Sequence, residues 1–311
     1  MKIIAIISLL ILFLALSKFA DLIVLNIRKI GEKLGIKIFV LGMILGIMTG
    51  LPEMAIGINS IVNDIAIISF GNLMGGIIVL FGLILSISII LNRKIHTEKK
   101  SWPFLIILSF LFLPLILSLK GELNFFDGLI LISGYIALIY YLYKKNNKNT
   151  SPEIKIVNKK DINRHIFFII IGMIGLVVSS ELIVKTTLFI LKDYNISAFI
   201  IGLIFYSVGT NLPELIIAVR SFKRKIGELS FSNLIGSAMG NVLMLGILSF
   251  IKNIEIKIGP SYLFLVIFVL IFFSFLYFFY RSDRLLSRRE GFAILFMYLI
   301  FIFGQIFIQI T

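Results

Sequence analysis

Ten stretches of apolar residues, each long enough for a helix to cross a hydrocarbon layer about 30 Å thick, follow one another along this 311-residue chain. They fall near residues 3–26, 36–61, 65–91, 103–119, 125–143, 165–191, 196–220, 229–251, 260–280 and 290–310. A chain so patterned belongs in a bilayer, where every spanning segment must satisfy its own backbone polar groups, and helices do so. Its hydrophobic share of 59% exceeds the roughly 45–50% of soluble domains. The first run, IIAIISLLILFLAL behind Lys2, has the outline of a secretory leader. Apolar sequence resumes directly after Ser17-Lys18, however, and no clear small-x-small cleavage site follows, so a first transmembrane helix is expected.

The connections between the runs alternate in charge. Arg28, Lys29 and Lys33 follow the first run; Arg93, Lys94, Lys99 and Lys100 the third; Lys144, Lys145, Lys148, Lys155, Lys159, Lys160 and Arg164 the fifth. Lys223, Arg224 and Lys225 follow the seventh, and Arg281, Arg284, Arg288 and Arg289 the ninth. The positive-inside rule makes these five loops cytoplasmic and, in a cell membrane, puts both termini outside. The net charge of +14 is therefore read as topology and not as a nucleic-acid surface. Without cysteine there is no disulfide, thiolate nucleophile or thiolate metal site. The two histidines, His96 and His165, are read as lying in basic loops, which argues against zinc. No enzymatic activity and no cofactor are expected.

The polar segment 144–164, which contains NNKNTSPE, reads as a flexible cytoplasmic linker between a first half (1–143) and a second half (165–311). The halves repeat. At an offset of 161, Thr49 meets Thr210, Leu51-Pro52 meets Leu212-Pro213, Glu53 meets Glu214, Asn72 meets Asn233 and Gly75 meets Gly236. At an offset of 160, Asp21-Leu22 meets Glu181-Leu182 and Gly42 meets Gly202. Five helices is an odd number, so the second copy begins on the opposite side of the membrane. The expected fold is an all-α polytopic membrane protein with ten transmembrane helices as two inverted-topology five-helix repeats, an arrangement that puts a transported solute near the midplane.

The same positions carry the least comfortable residues of the apolar runs. Pro52 and Pro213 each lack the amide that would bond the carbonyl four residues back, so Met48 and Gly209 are expected to present bare carbonyl oxygens. Beside them stand Thr49, Thr210, Glu53 and Glu214. A kink with snorkelling acids is the plainer reading of one such motif. Two related copies favour ion coordination, because each buried carboxylate costs at least ~2.5 kcal/mol. The ligands are hard oxygens, suited to Ca²⁺ or Na⁺. In the partner stretches SFGNLMGGIIVLFG (69–82) and SFSNLIGSAMGNVLMLG (230–246), Ser237 and Asn241 are four apart and share a helix face, where they can complete the cage. Asn72 and Asn233 are read as lining the site or capping helices, and Gly75 and Gly236 as packing contacts. Asp21 and Glu181 each lie about one turn from a lysine, Lys18 and Lys185, and are left out of the site.

At these residues the sequence resembles the calcium/cation antiporter superfamily, and most closely its prokaryotic sodium/calcium exchanger branch. Members carry G-T-S-L-P-E followed by G-N-x-x-G-S-N-x-x-[ND] in each repeat. The second half has Gly209 to Glu214 (GTNLPE) and Ser232 to Asn241 (SNLIGSAMGN); the first has Met48 to Glu53 (MTGLPE) and Gly71 to Leu80 (GNLMGGIIVL). The resemblance implies exchange of Ca²⁺ for another cation by alternating access, with Glu53 and Glu214 as shared ligands and Asn211 in the ligand set. The chain departs from the family pattern at Gly50, Gly76 and Leu80, which offer no side-chain oxygen, and carries Asn211 and Asn241 where a serine and an acid are usual. Two ionised glutamates balance one Ca²⁺, whereas Mg²⁺ gives up water reluctantly. A Ca²⁺/Na⁺ antiporter, functional as a monomer, is the leading expectation. A Ca²⁺/H⁺ antiporter is the alternative, and a non-transporting ion-binding paralogue the third.

Overall fold

The computed structural model describes residues 2–33, 50–96, 101–145, 159–193, 197–212, 214–215, 227–282 and 285–310. Among them, eight helices are long and apolar enough to cross a membrane: α1 (Lys2–Lys33), α3 (Ile67–Asn92), α4 (Trp102–Leu117), α5 (Phe125–Lys145), α6 (Lys159–Asp193), α8 (Gly227–Ile251), α9 (Pro260–Ser282) and α10 (Arg288–Ile310). Two shorter apolar helices, α2 (Leu51–Val62) and α7 (Ala198–Thr210), fall within the second and seventh runs. The chain is thus a nearly all-helical, multi-pass membrane protein. The first part of the second run, the loop residues 97–100 and 216–226, the linker residues 146–158 and Thr311 lie outside the described residues.

Two expectations need correction. α6 begins at Lys159, so residues 159–164 are helical and not linker. His165 consequently lies in α6 and not in a loop, with Nδ1 2.7 Å from Asn26 Oδ1 on α1. Asn26 gives its own amide N–H to the Leu22 carbonyl, so its oxygen faces the imidazole and Nδ1 is the donor.

α3 and α8 form the centre. α3 packs against α2, α7, α8 and α10, and α8 against α2, α3, α4 and α5. Residues Ile68–Ile78 of α3 are all buried, as expected of a helix that is apolar on every side. α1 and α6 lie side by side at the edge. There and on α9 and α10, Leu10, Ile11, Ile174, Phe278 and Phe303 are exposed, the face that hydrocarbon would cover.

α3 and α7 approach closely enough to need glycine on both sides. A Cβ at Gly71 would lie 2.5 Å from the Phe199 carbonyl, one at Gly75 2.1 Å from the Leu203 carbonyl, and one at Gly202 2.3 Å from the Ile68 carbonyl. Gly75 is therefore a packing glycine, as read. A Cβ at Gly236 would meet nothing within 4 Å, so the same reading does not carry over to the second copy among the described residues. Each helix contains a π-helical stretch, Val79–Leu85 in α3 and Ile201–Tyr206 in α7.

Short strands group the loops by side. β1 (Lys94–His96) pairs antiparallel with β4 (Leu285–Ser287), joining two loops with basic flanks. β2 (Glu122–Leu123) pairs with β3 (Ile254–Glu255), joining two nearly neutral ones. Lys252 also bonds Asp64 at 2.6 Å, which adds the loop after α2 to that second face.

Candidate cation site

The backbone turns at the same place in both halves. Gly50 has φ −84°, ψ 9°, and Asn211, its counterpart at offset 161, has φ −90°, ψ 12°. Both lie in the sparsely used bridge region where active-site residues are found. After each turn a helical hydrogen bond forms again: Met54 N–H to the Gly50 carbonyl at 2.9 Å, and Leu215 N–H to the Asn211 carbonyl at 3.1 Å. α2, at 12 residues and about 1.5 Å per residue, covers roughly half the hydrocarbon thickness.

The turn changes what proline does. Pro52 occupies the first turn of α2, where its missing N–H would have had no helical acceptor, so it starts a helix and does not kink one. Gly209 is buried in α7, two residues before the turn at Asn211. Met48, Thr49 and Pro213 lie outside the described residues.

Glu53 and Glu214 are buried and close enough that Glu214 feels the charge of Glu53. Glu53 faces the Thr210 hydroxyl. Thr210 Oγ1 has one proton and two acceptors, Glu53 and Asn72 Oδ1, the latter at 3.2 Å. Among the described residues seven buried side-chain polar atoms lack a partner, and four belong here: Glu53 Oε2, Glu214 Oε2, Asn72 Nδ2 and Ser237 Oγ. Unpaired buried polar atoms are costly, so their concentration marks a place built for a charged ligand.

The remaining assignments divide. Thr210, Asn211, Ser237, Asn241 and Asn72 are all buried. Asn72 lies within α3, five residues past its start, so it lines the site and caps nothing. Asn233 lies within α8, so it caps nothing, and it is exposed. Glu181 is held by Lys185 at 2.5 Å, as its exclusion from the site assumed. Asp21 is exposed, yet its charge is also felt at Glu214.

Three features escaped sequence reasoning as working parts. Asn211 Nδ2 donates to the Ser207 carbonyl at 2.8 Å, and Asn241 Nδ2 donates to the Leu73 carbonyl at 3.2 Å. Gly76 is the floor under both amides, since a Cβ there would lie 2.5 Å from Asn241 Nδ2 and 3.2 Å from Asn211 Nδ2. The only hint was that Gly76, Asn211 and Asn241 all depart from the family pattern together. Among the described residues no three acidic or histidine side chains converge. A cation between the glutamates would therefore take its other ligands from hydroxyl, amide and carbonyl oxygens, a hard set.

Two buried carboxylates, set where helices break inside a multi-pass helical bundle, define a membrane carrier of cations. The chain belongs to the sodium/calcium exchanger protein family, whose model matches residues 4–144 and 164–307. The sequence resemblance to the calcium/cation antiporter superfamily is borne out. An uncharacterized membrane protein of Methanocaldococcus jannaschii is 28% identical over 291 residues, 90% of this chain and 91% of that one. A sodium-calcium exchanger whose crystals were soaked with 10 mM Na⁺ and 10 mM Sr²⁺ has a similar fold, with a TM-score of 0.64 and 27% identity over 96% of this chain and 98% of that one. An H⁺/Ca²⁺ exchanger superposes with a TM-score of 0.74 over 98% of this chain and 87% of its own; at 17% identity this is a likeness of fold alone.

Proposed function

We propose that the protein is a secondary active antiporter that exchanges Ca²⁺ for Na⁺ by alternating access, with the ion held between Glu53 and Glu214. The observation that carries this reading is the pair of buried glutamates, each with one carboxylate oxygen lacking any partner. Two such charges match one divalent ion, and the surrounding oxygens of Thr210, Ser237 and Asn72 are ligands of the kind calcium prefers. A relative that exchanges sodium and calcium, similar over nearly its whole length, supports the same substrates. The same orphaned oxygens favour one second reading, in which protons replace sodium as the return ions, since a carboxylate in a dry interior demands either a cation or a proton.

The architecture that goes with this function is ten crossings in two inverted five-helix repeats, both termini outside, the monomer as the working unit, and neither catalysis nor a cofactor. The matching backbone at Gly50 and Asn211 and the grouping of like-charged loops support it. The test is ⁴⁵Ca²⁺ uptake into vesicles holding purified protein, driven by an outward Na⁺ gradient at fixed pH or by a pH gradient without Na⁺. Uptake under either gradient, abolished by Glu53→Gln or Glu214→Gln and kept by Glu122→Gln in the β2 loop, is expected. Calcium binding without flux under any gradient would leave the non-transporting paralogue.

A further inference from the structure

Asn211 and Asn241 do more than fill the places of a serine and an acid. Each turns its NH₂ group, and not its oxygen, into the space over Gly76, and each orientation is held by a backbone carbonyl, that of Ser207 at 2.8 Å or Leu73 at 3.2 Å. Those carbonyls are hard oxygens of the sort a sodium ion would use, and here an amide donor occupies them. A side chain at position 76 would collide with both nitrogens. We propose that these two amide groups act as a fixed substitute for a bound cation, so that the return leg carries only the two monovalent charges that Glu53 and Glu214 can balance and the exchange is electroneutral. Gly76 is then the position that permits the arrangement.

The charge balance rests on the proposed calcium transport: one Ca²⁺ moves one way and two Na⁺, or two H⁺, move the other, with no net charge crossing. Besides Glu53 and Glu214, the apolar runs contain four acids, Asp21, Asp127, Glu181 and Glu290; Asp127 is paired with Lys120 at 2.7 Å and Glu290 accepts the Ser287 backbone N–H at 2.6 Å. Glu181 is neutralised by Lys185, and Asp21 is exposed and not part of the buried pair. Among the described residues the one other buried carboxylate, Asp127, is already held by Lys120, so none stands ready for a third monovalent ion.

Two measurements test this. In vesicles with the potential clamped by potassium and an ionophore, a cycle that moved one net charge would change the equilibrium calcium ratio about 50-fold per 100 mV. The wild-type ratio is expected to stay unchanged, and a shift of that size overturns the proposal. The second measurement uses no calcium, so it judges the amide substitution even if calcium is not the cargo. The melting temperature of the purified protein is titrated with NaCl against choline chloride. The wild type is expected to show a dependence no steeper than two sodium ions, and the double variant Gly76→Ser/Asn211→Ser, which exchanges an amide donor for two hydroxyls, a steeper one. Asn211→Ser alone, which frees the Ser207 carbonyl without adding bulk, guards against misfolding of the double variant and is expected to move the same way. A wild type with third-order sodium dependence, or an Asn211→Ser variant with an unaltered curve, overturns it.

Discussion

Glu53→Gln separates the energetics of the ion from those of the fold. The substitution keeps the size of the side chain and an oxygen to face the Thr210 hydroxyl, and it removes a buried charge whose Oε2 has no partner. Removing one member of a buried, compensated pair costs roughly 3–5 kcal/mol, which corresponds to about 150- to 5,000-fold in calcium affinity. At calcium a hundredfold above its dissociation constant the wild type gains about 2.7 kcal/mol of stability, while a variant weakened 150-fold gains about 0.3 kcal/mol. With a chelator the order reverses, because the wild type then carries a desolvated carboxylate that the variant lacks. Thermal unfolding followed by circular dichroism, with calcium and with EGTA, is therefore expected to give curves that cross. ⁴⁵Ca²⁺ binding on the same samples checks the affinity. A variant stabilised by calcium as strongly as the wild type would refute the assignment of Glu53 as a ligand. A variant less stable than the wild type in EGTA by more than about 1 kcal/mol would show that the carboxylate is structural.

Gly75→Ala drives a Cβ to 2.1 Å from the Leu203 carbonyl, so α3 and α7 must part; a loss of about 1–3 kcal/mol is expected in the same unfolding assay. Gly236→Ala, with nothing among the described residues within 4 Å of the new methyl, is expected to be near neutral. The chain has no cysteine, so single cysteines introduced within 93–100 or 144–164 are expected to react with an impermeant thiol reagent only from the cytoplasmic side, and one at Thr311 only from outside. The hydrogen bond from Lys252, and then its charge, hold the Asp64 carboxyl below the usual carboxylate range. A depressed value stabilises the fold above the unfolded-state pKa and ceases to as pH falls through the folded one. The wild type and Lys252→Ala are accordingly expected to differ slightly in melting temperature at neutral pH and to converge in acid, the difference being small because the pair is solvent-exposed.

What could be read from the sequence was what repeats. Apolar runs longer than a bilayer needs are unambiguous, and the offset of 161 pointed to Gly50 and Asn211 as equivalent before any backbone angle was known. What could not be read was the orientation of single side chains, since that depends on neighbours remote in sequence. Asn72 and Asn233 are equivalent by offset, yet one is buried beside Thr210 and the other exposed. The effect of proline likewise depends on whether it falls inside a helix or at its start, and at Pro52 the turn at Gly50 puts it at the start.

The two halves thus share a backbone device and differ in the side chains mounted on it. The matching turns at Gly50 and Asn211 give each half a break at the same point of its sequence, which suits the proposed alternating carrier, whose two sides would open by related motions. Ligand oxygens need no such symmetry, because both access states close around one ion. In the proposed site the first half contributes Glu53 and Asn72, with glycine at positions 50 and 76, and the second contributes Glu214, Thr210 and Ser237, together with two amides that fill the space over Gly76. Symmetry in the backbone with asymmetry in the ligands is what allows a fold of this kind to change its coupling by a few substitutions while its helices stay where they are.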